Sequence, residues 1–138
     1  MPIHSNTVHL HRLDLDGPSV TALECWNLLD ESERSRARRF RLNEVRGRWT
    51  VARAGLRSIL SIYCDCSPTE LEFGSGPFGQ PFLSGSVSRA GVAFNLLHPG
   101  CIAVVAVGVD ADVGIDVEFK KHIWDWPGVA RRNGSRPC

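Results

Sequence analysis

The sequence lacks CxxC pairs and zinc-ligand spacings. Its five cysteines, Cys25, Cys64, Cys66, Cys101 and Cys138, are odd in number and irregular in interval, so they read as reduced thiols. No apolar run approaches the roughly twenty residues of a membrane span, and the polar stretch Met1 to Asn6 is no signal-peptide core. These absences point to a soluble cytoplasmic protein. Net charge is nearly missing too, at +1 over 138 residues, and aromatic platforms are not interleaved with the charge. Both features argue against a dedicated nucleic-acid binder. Internal repeats are absent.

What is present suffices for one folded domain. With 43% hydrophobic residues, a chain of this length buries roughly two thirds of its unfolded surface. Lysine is scarce: fourteen of the sixteen basic residues are arginine, and nine of these lie between Arg34 and Arg57. A local guanidinium cluster suits phosphates, which its planar forks bind bidentately.

Val8 to Leu15 reads as a strand, with a bulge or bend expected where its apolar parity changes between Leu10 and Leu13. Asp30 followed by Glu33 predicts an N-cap with its reciprocal acid, opening a short, mostly solvated helix from Glu31 to Arg39. From Glu44 to Tyr63, Val45, Trp49, Ala52, Leu56, Ile59, Leu60 and Tyr63 recur at helical spacing. Arg46, Arg53 and Arg57 form a stripe beside that face, either snorkelling into solvent or aimed at an anion.

Leu71 to Phe73 predicts a short strand and Gly74 to Gly85 a loop. Gly74, Gly76 and Gly79 spell GxGxxG, but Pro77 and Pro81 prevent the helix that a dinucleotide site needs next. Val92 to Leu96, Cys101 to Val109 and Val113 to Glu118 read as three strands of one small sheet. In the last, Asp116 and Glu118 share a face with Cα atoms about 7 Å apart. Such a pair is either an ordinary solvated strand face or a seat for a hard divalent cation such as Mg²⁺. His98, beside Pro99 and Gly100, reads alone as a turn histidine.

Arg38-Arg39-Phe40, Arg48, Ala52-Arg53-Ala54-Gly55-Leu56-Arg57, Gly79-Gln80-Pro81, Phe94-Asn95-Leu96-Leu97-His98 and Gly114-Ile115-Asp116-Val117-Glu118 occur in an informative order. In this order the chain resembles the surfactin-synthetase-activating type of 4'-phosphopantetheinyl transferase. That family has an RF element, an arginine-bearing helix, a GKP loop, an FN-hydrophobic-SH motif and GIDxE.

The resemblance implies one half of a two-lobed α/β (α+β) fold, a small sheet packed on a long helix. It implies transfer of the phosphopantetheine arm of coenzyme A to a serine of an acyl or peptidyl carrier protein. By resemblance, Asp116 and Glu118 match the Mg²⁺ ligands, while Arg36, Arg53, Gln80 and His98 fall in the coenzyme A site. Gln80 replaces the family lysine and Leu97 the family serine. The likeness covers residues 1–132 as an N-terminal lobe, and residues 133–138 read as an unrelated disordered tail. The W-x-x-K-E segment of the family's second lobe is absent, so the catalytic residues stay unassigned and a truncated gene is the expectation. A second chain completing the cleft, or a non-catalytic module that still touches coenzyme A or a carrier protein, are the alternatives. The same reading places an apolar patch near Trp124 or Trp126.

Overall fold

The computed structural model describes residues 7–16, 22–77, 79–85, 91–98 and 100–109. The expected strand Val113 to Glu118, its Asp116 and Glu118, the Trp124 and Trp126 patch and the 133–138 tail lie outside the described residues.

The elements run in the order β1 (Val8–Asp14), α1 (Ala22–Leu28), α2 (Glu31–Arg38), α3 (Asn43–Cys64), a 3₁₀ turn (Pro68–Glu70), β2 (Glu72–Ser75), β3 (Pro81–Ser84), β4 (Val92–Leu97) and β5 (Ile102–Val109). Helix α3 and strands β4 and β5 match their periodicities closely. Helix α1 has no counterpart in the sequence reading. Seven residues are too few to display an amphipathic period.

Strands β1, β5 and β4 form an antiparallel sheet with β5 in the middle. The β1 register runs without interruption from Val8 opposite Gly108 to Asp14 opposite Ile102, so the expected bulge does not form. The parity change has a simpler cause: His9, His11 and Leu13 share a face with Ala103, Val105 and Val107, while Val8 and Leu10 are on the other face, 47% and 37% exposed.

The core lies between this sheet and α3. Leu56 and Leu60 are fully buried against Val105 and Val107, with Leu71 and Leu83 closing the cluster. Each such side chain contributes about 1.5–3 kcal/mol through burial. Two residues expected on that packed face depart from it. Trp49 is buried instead with Cys25, Leu29 and Ala37 of the helical layer. Val45, 40% exposed, lines a cleft with Phe40 and His98. The first turns of α3 meet α1 and α2 rather than the sheet.

Segment 74–85, expected as a loop, is a hairpin: β2 and β3 pair from Glu72 opposite Ser84 to Ser75 opposite Pro81. Its turn is closed by the Gly76 amide donating to the Gln80 carbonyl at 2.7 Å and the Gly79 amide to the Gly76 carbonyl at 3.0 Å. Gly79 sits at φ +83°, a conformation side chains disfavour. Gly74 leaves room for the Phe82 ring, which a Cβ there would meet at 2.5 Å. The glycines of the rejected dinucleotide motif therefore serve hairpin geometry.

Cys25, Cys64 and Cys66 are free thiols, whereas Cys101 is disulfide-bonded, which corrects the expectation that all five are reduced. Among the described residues no helix is long and apolar enough to cross a membrane.

Candidate anion-binding site

The site starts from a helix cap. Asp30 accepts a hydrogen bond from the Glu33 amide at 2.8 Å, and the Glu33 carboxylate accepts one from the Asp30 amide at 2.9 Å. This reciprocal box nucleates α2 and turns Glu33 inward, where it is 7% exposed. The helix is thus less solvated than its charged sequence implies, since Glu33 and Ala37 are both buried.

Glu33 receives the arginines of α3. Its Oε1 accepts from Arg57 Nε at 2.8 Å, and its Oε2 lies 3.5 Å from Arg53. That second separation is ion-pair range without hydrogen-bond geometry, and Oε2 has no hydrogen-bond partner among the protein atoms. Arg57 also donates to the carbonyls of Pro68 and Leu71, both at 2.8 Å, and to Asp30 at 3.1 Å. Only 1% exposed, it is a structural ion, neither a snorkelling residue nor a surface contact. Arg46 donates to the Ala37 and Phe40 carbonyls, capping the end of α2. Arg48 binds Asp16 and Glu44, tying α3 to the end of β1. The arginine stripe therefore divides into distinct tasks.

Arg53 faces the opening. Its guanidinium carbon lies 5.1 Å from the Trp49 ring centre and 5.4 Å from that of Phe73, and Arg36 approaches Trp49 at 5.7 Å. These are cation–π distances. Burial first lowers the Arg53 pKa; Glu33 opposes that shift, and the neighbouring charges of Arg36 and Arg57 add to it. Guanidinium nevertheless stays charged at physiological pH.

The cleft here has a volume of about 260 Å³ and is lined by Asp30, Glu33, Arg36, Arg39, Trp49, Arg53 and the Gly74–Ser75 edge of β2, among others. Counting Arg57 behind the wall, four guanidiniums face two carboxylates. The surplus positive charge, held beside an indole and a phenyl ring, fits a phosphorylated ligand with a planar group.

Of the expected ligand residues, Arg36 and Arg53 meet directly in this cleft. His98 lines an adjoining cleft of about 280 Å³ whose wall includes the same Trp49. Although its surface side is exposed, desolvation and then the Arg53 charge lower the His98 pKa below 6.5, so the ring is neutral at pH 7. Gln80 is at the exposed tip of the β2–β3 hairpin, outside the cleft lining. Arg39, Trp49 and Ser75 escaped the sequence reading as site residues. The closeness of Arg36 to Arg39 at the end of one short helix and the Arg38-Arg39-Phe40 motif hinted at the first.

No group of three histidine, cysteine, aspartate or glutamate side chains suitable for a metal ion occurs among the described residues.

No family profile matches the chain. It is 35% identical over 128 residues to the 4'-phosphopantetheinyl transferase HetI of Nostoc sp., covering 93% of this chain and 54% of that protein. It is 30% identical over 92 residues to slr0495 of Synechocystis sp., provisionally named for the same transferase, covering 67% of this chain and 37% of that protein. The chain spans about half the length, or less, of these curated relatives. The first similarity runs through nearly all of the sequence, including the arginine-bearing helices that build the cleft, and on this ground the chain belongs to the 4'-phosphopantetheinyl transferase superfamily.

Proposed function

We propose that this chain supplies the coenzyme A-binding lobe of a 4'-phosphopantetheinyl transferase of the surfactin-synthetase-activating type, acting in the cytoplasm. In the proposed reaction a carrier-protein serine oxygen attacks the pyrophosphate of coenzyme A. A phosphodiester forms to the pantetheine arm, the phosphoanhydride bond breaks, and adenosine 3',5'-bisphosphate leaves. Residues 1–132 form the lobe in this reading, and a second lobe, in this or another chain, completes the cleft.

The observation that carries the proposal is the pairing of Arg36 and Arg53 over Trp49 beside Arg39. Fixed guanidiniums around a ring-lined cleft provide the charge and planar surface that a phosphorylated adenosine requires. Neutral His98 adds either a donor or an acceptor at the cleft's edge. Asp116 and Glu118 are proposed as Mg²⁺ ligands on their sequence pattern. When bound, the ion would screen the pyrophosphate charge. Gln80 in place of lysine leaves the hairpin tip with one cation fewer than the family pattern.

Calorimetric titration compares coenzyme A with 3'-dephospho-coenzyme A, and transfer of labelled phosphopantetheine to an apo carrier protein is measured in parallel. Preference for the 3'-phosphorylated ligand, abolished by Arg36→Ala, supports the assignment. Equal affinity for both ligands removes Arg36 from the phosphate site.

A further inference from the structure

Outside the arginine cleft, three side chains meet at one oxygen. His9 and His11 are two residues apart on β1 and therefore project from the same face, the one turned toward α3. His9 Nδ1 lies 2.8 Å and His11 Nε2 2.5 Å from the hydroxyl of Tyr63 in the last turn of α3. The imidazole centroids are 6.5 Å apart with an interplanar angle of 66°. All three residues are half-buried, which leaves the cluster reachable from one side.

A single phenolic proton cannot satisfy two acceptors, so the hydroxyl donates to one ring and accepts an N–H from the other. Two ring nitrogens thus converge on the Tyr63 oxygen, placing three potential donor atoms within hydrogen-bond reach from residues more than fifty positions apart.

We propose that His9, His11 and Tyr63 form a binding site for a first-row divalent transition-metal ion of the imidazole-preferring kind, Zn²⁺ or Cu²⁺. Imidazole suits these ions better than it suits Mg²⁺. Tetrahedral bonds of 2.0–2.1 Å place neighbouring donors about 3.3 Å apart. The observed contacts must therefore open by roughly 0.5–0.8 Å, which small χ rotations supply. Strand β1 is at the sheet's edge among the described residues, so His9 has room to adjust. Water completes the coordination. The ion links the first strand to the end of the long helix.

The test titrates Zn²⁺ into the chelator-treated full chain by calorimetry, in the native sequence and with Cys64→Ser and Cys66→Ser together to remove nearby thiols. The expected result is saturable binding of one equivalent in both, weakened by at least the ~10-fold that even outer-shell changes cause in His9→Gln and His11→Ala. His9→Gln retains a hydrogen-bonding side chain and protects the comparison from misfolding. Zn²⁺ should also raise the melting temperature of the native chain and leave that of His9→Gln nearly unchanged. The Cu²⁺ adduct should show a phenolate charge-transfer band that Tyr63→Phe removes. No one-equivalent binding, binding that survives both histidine changes, or binding lost only with the thiols would overturn the site. A Cu²⁺ adduct without the phenolate band would overturn the role of Tyr63.

Discussion

Glu33 Oε1 accepts from Arg57 Nε at 2.8 Å where both side chains are nearly sealed from water. Desolvating two ions is costly, and the pair is tolerated because Pro68, Leu71 and Asp30 satisfy the remaining guanidinium protons. Removing one partner strands the other. Glu33→Ala and Arg57→Ala should each lose about 3–5 kcal/mol of stability, read by urea denaturation, with the Arg36 and Arg53 geometry lost in consequence. A stability change under 1 kcal/mol in both would show that water replaces the missing partner.

Arg36, in contrast, is exposed and held by the Trp49 ring rather than by the core. Arg36→Ala should leave the melting temperature nearly unchanged while weakening coenzyme A binding by about 1.5–3 kcal/mol, the value of a charged hydrogen bond. Calorimetry of the folded variant separates these effects. A parallel loss of stability would mean that Arg36 belongs to the scaffold.

At the hairpin tip, Gln80→Lys should increase coenzyme A affinity by adding a cation beside the cleft. The expected gain is up to about 1 kcal/mol, because an exposed charge is screened. Its decline with added salt distinguishes electrostatic attraction from a change in packing. Unchanged affinity at low salt would place residue 80 too far from the ligand to act.

His98 is expected to make ligand binding pH-dependent. Its folded pKa is below 6.5, so the stability it contributes is fully present above pH 6.5 and declines as pH falls through that lower folded value. A phosphate beside the ring raises the pKa, and binding should tighten on acidification from pH 7.5 to 5.5. A one-unit rise gives up to about tenfold. Comparison with His98→Asn cancels the ligand's own titration. The same pH profile in both proteins would place His98 away from the phosphate.

Gly55 sets the approach of α3 to β1: a Cβ there would come within 2.6 Å of Leu13 Cδ1. Alanine can be accommodated by turning the leucine tip and also gains helix propensity. Gly55→Val should instead overpack the contact and destabilise the protein by about 1–3 kcal/mol. Thermal unfolding of the two variants checks the contrast. Equal melting temperatures would show that β1 can withdraw without loss.

The amino-acid sequence by itself determined the span of α3, the Asp30–Glu33 cap and the β4 and β5 strands. Each depends on side chains within a few positions of one another, where periodicity and capping act directly. The family was legible for a related reason, since its motifs are short and ordered. Only the tertiary structure decided which of the buried arginines lines the cleft. Arg53 and Arg57 share one helix and similar local chemistry, yet one opens toward the cleft and the other is sealed by Glu33, twenty-four residues earlier, and by the carbonyls of Pro68 and Leu71. The β2–β3 pairing and the meeting of His9, His11 and Tyr63 were likewise hidden. Cross-strand register and contacts between distant elements arise from packing and desolvation of the assembled layers, which no local pattern records.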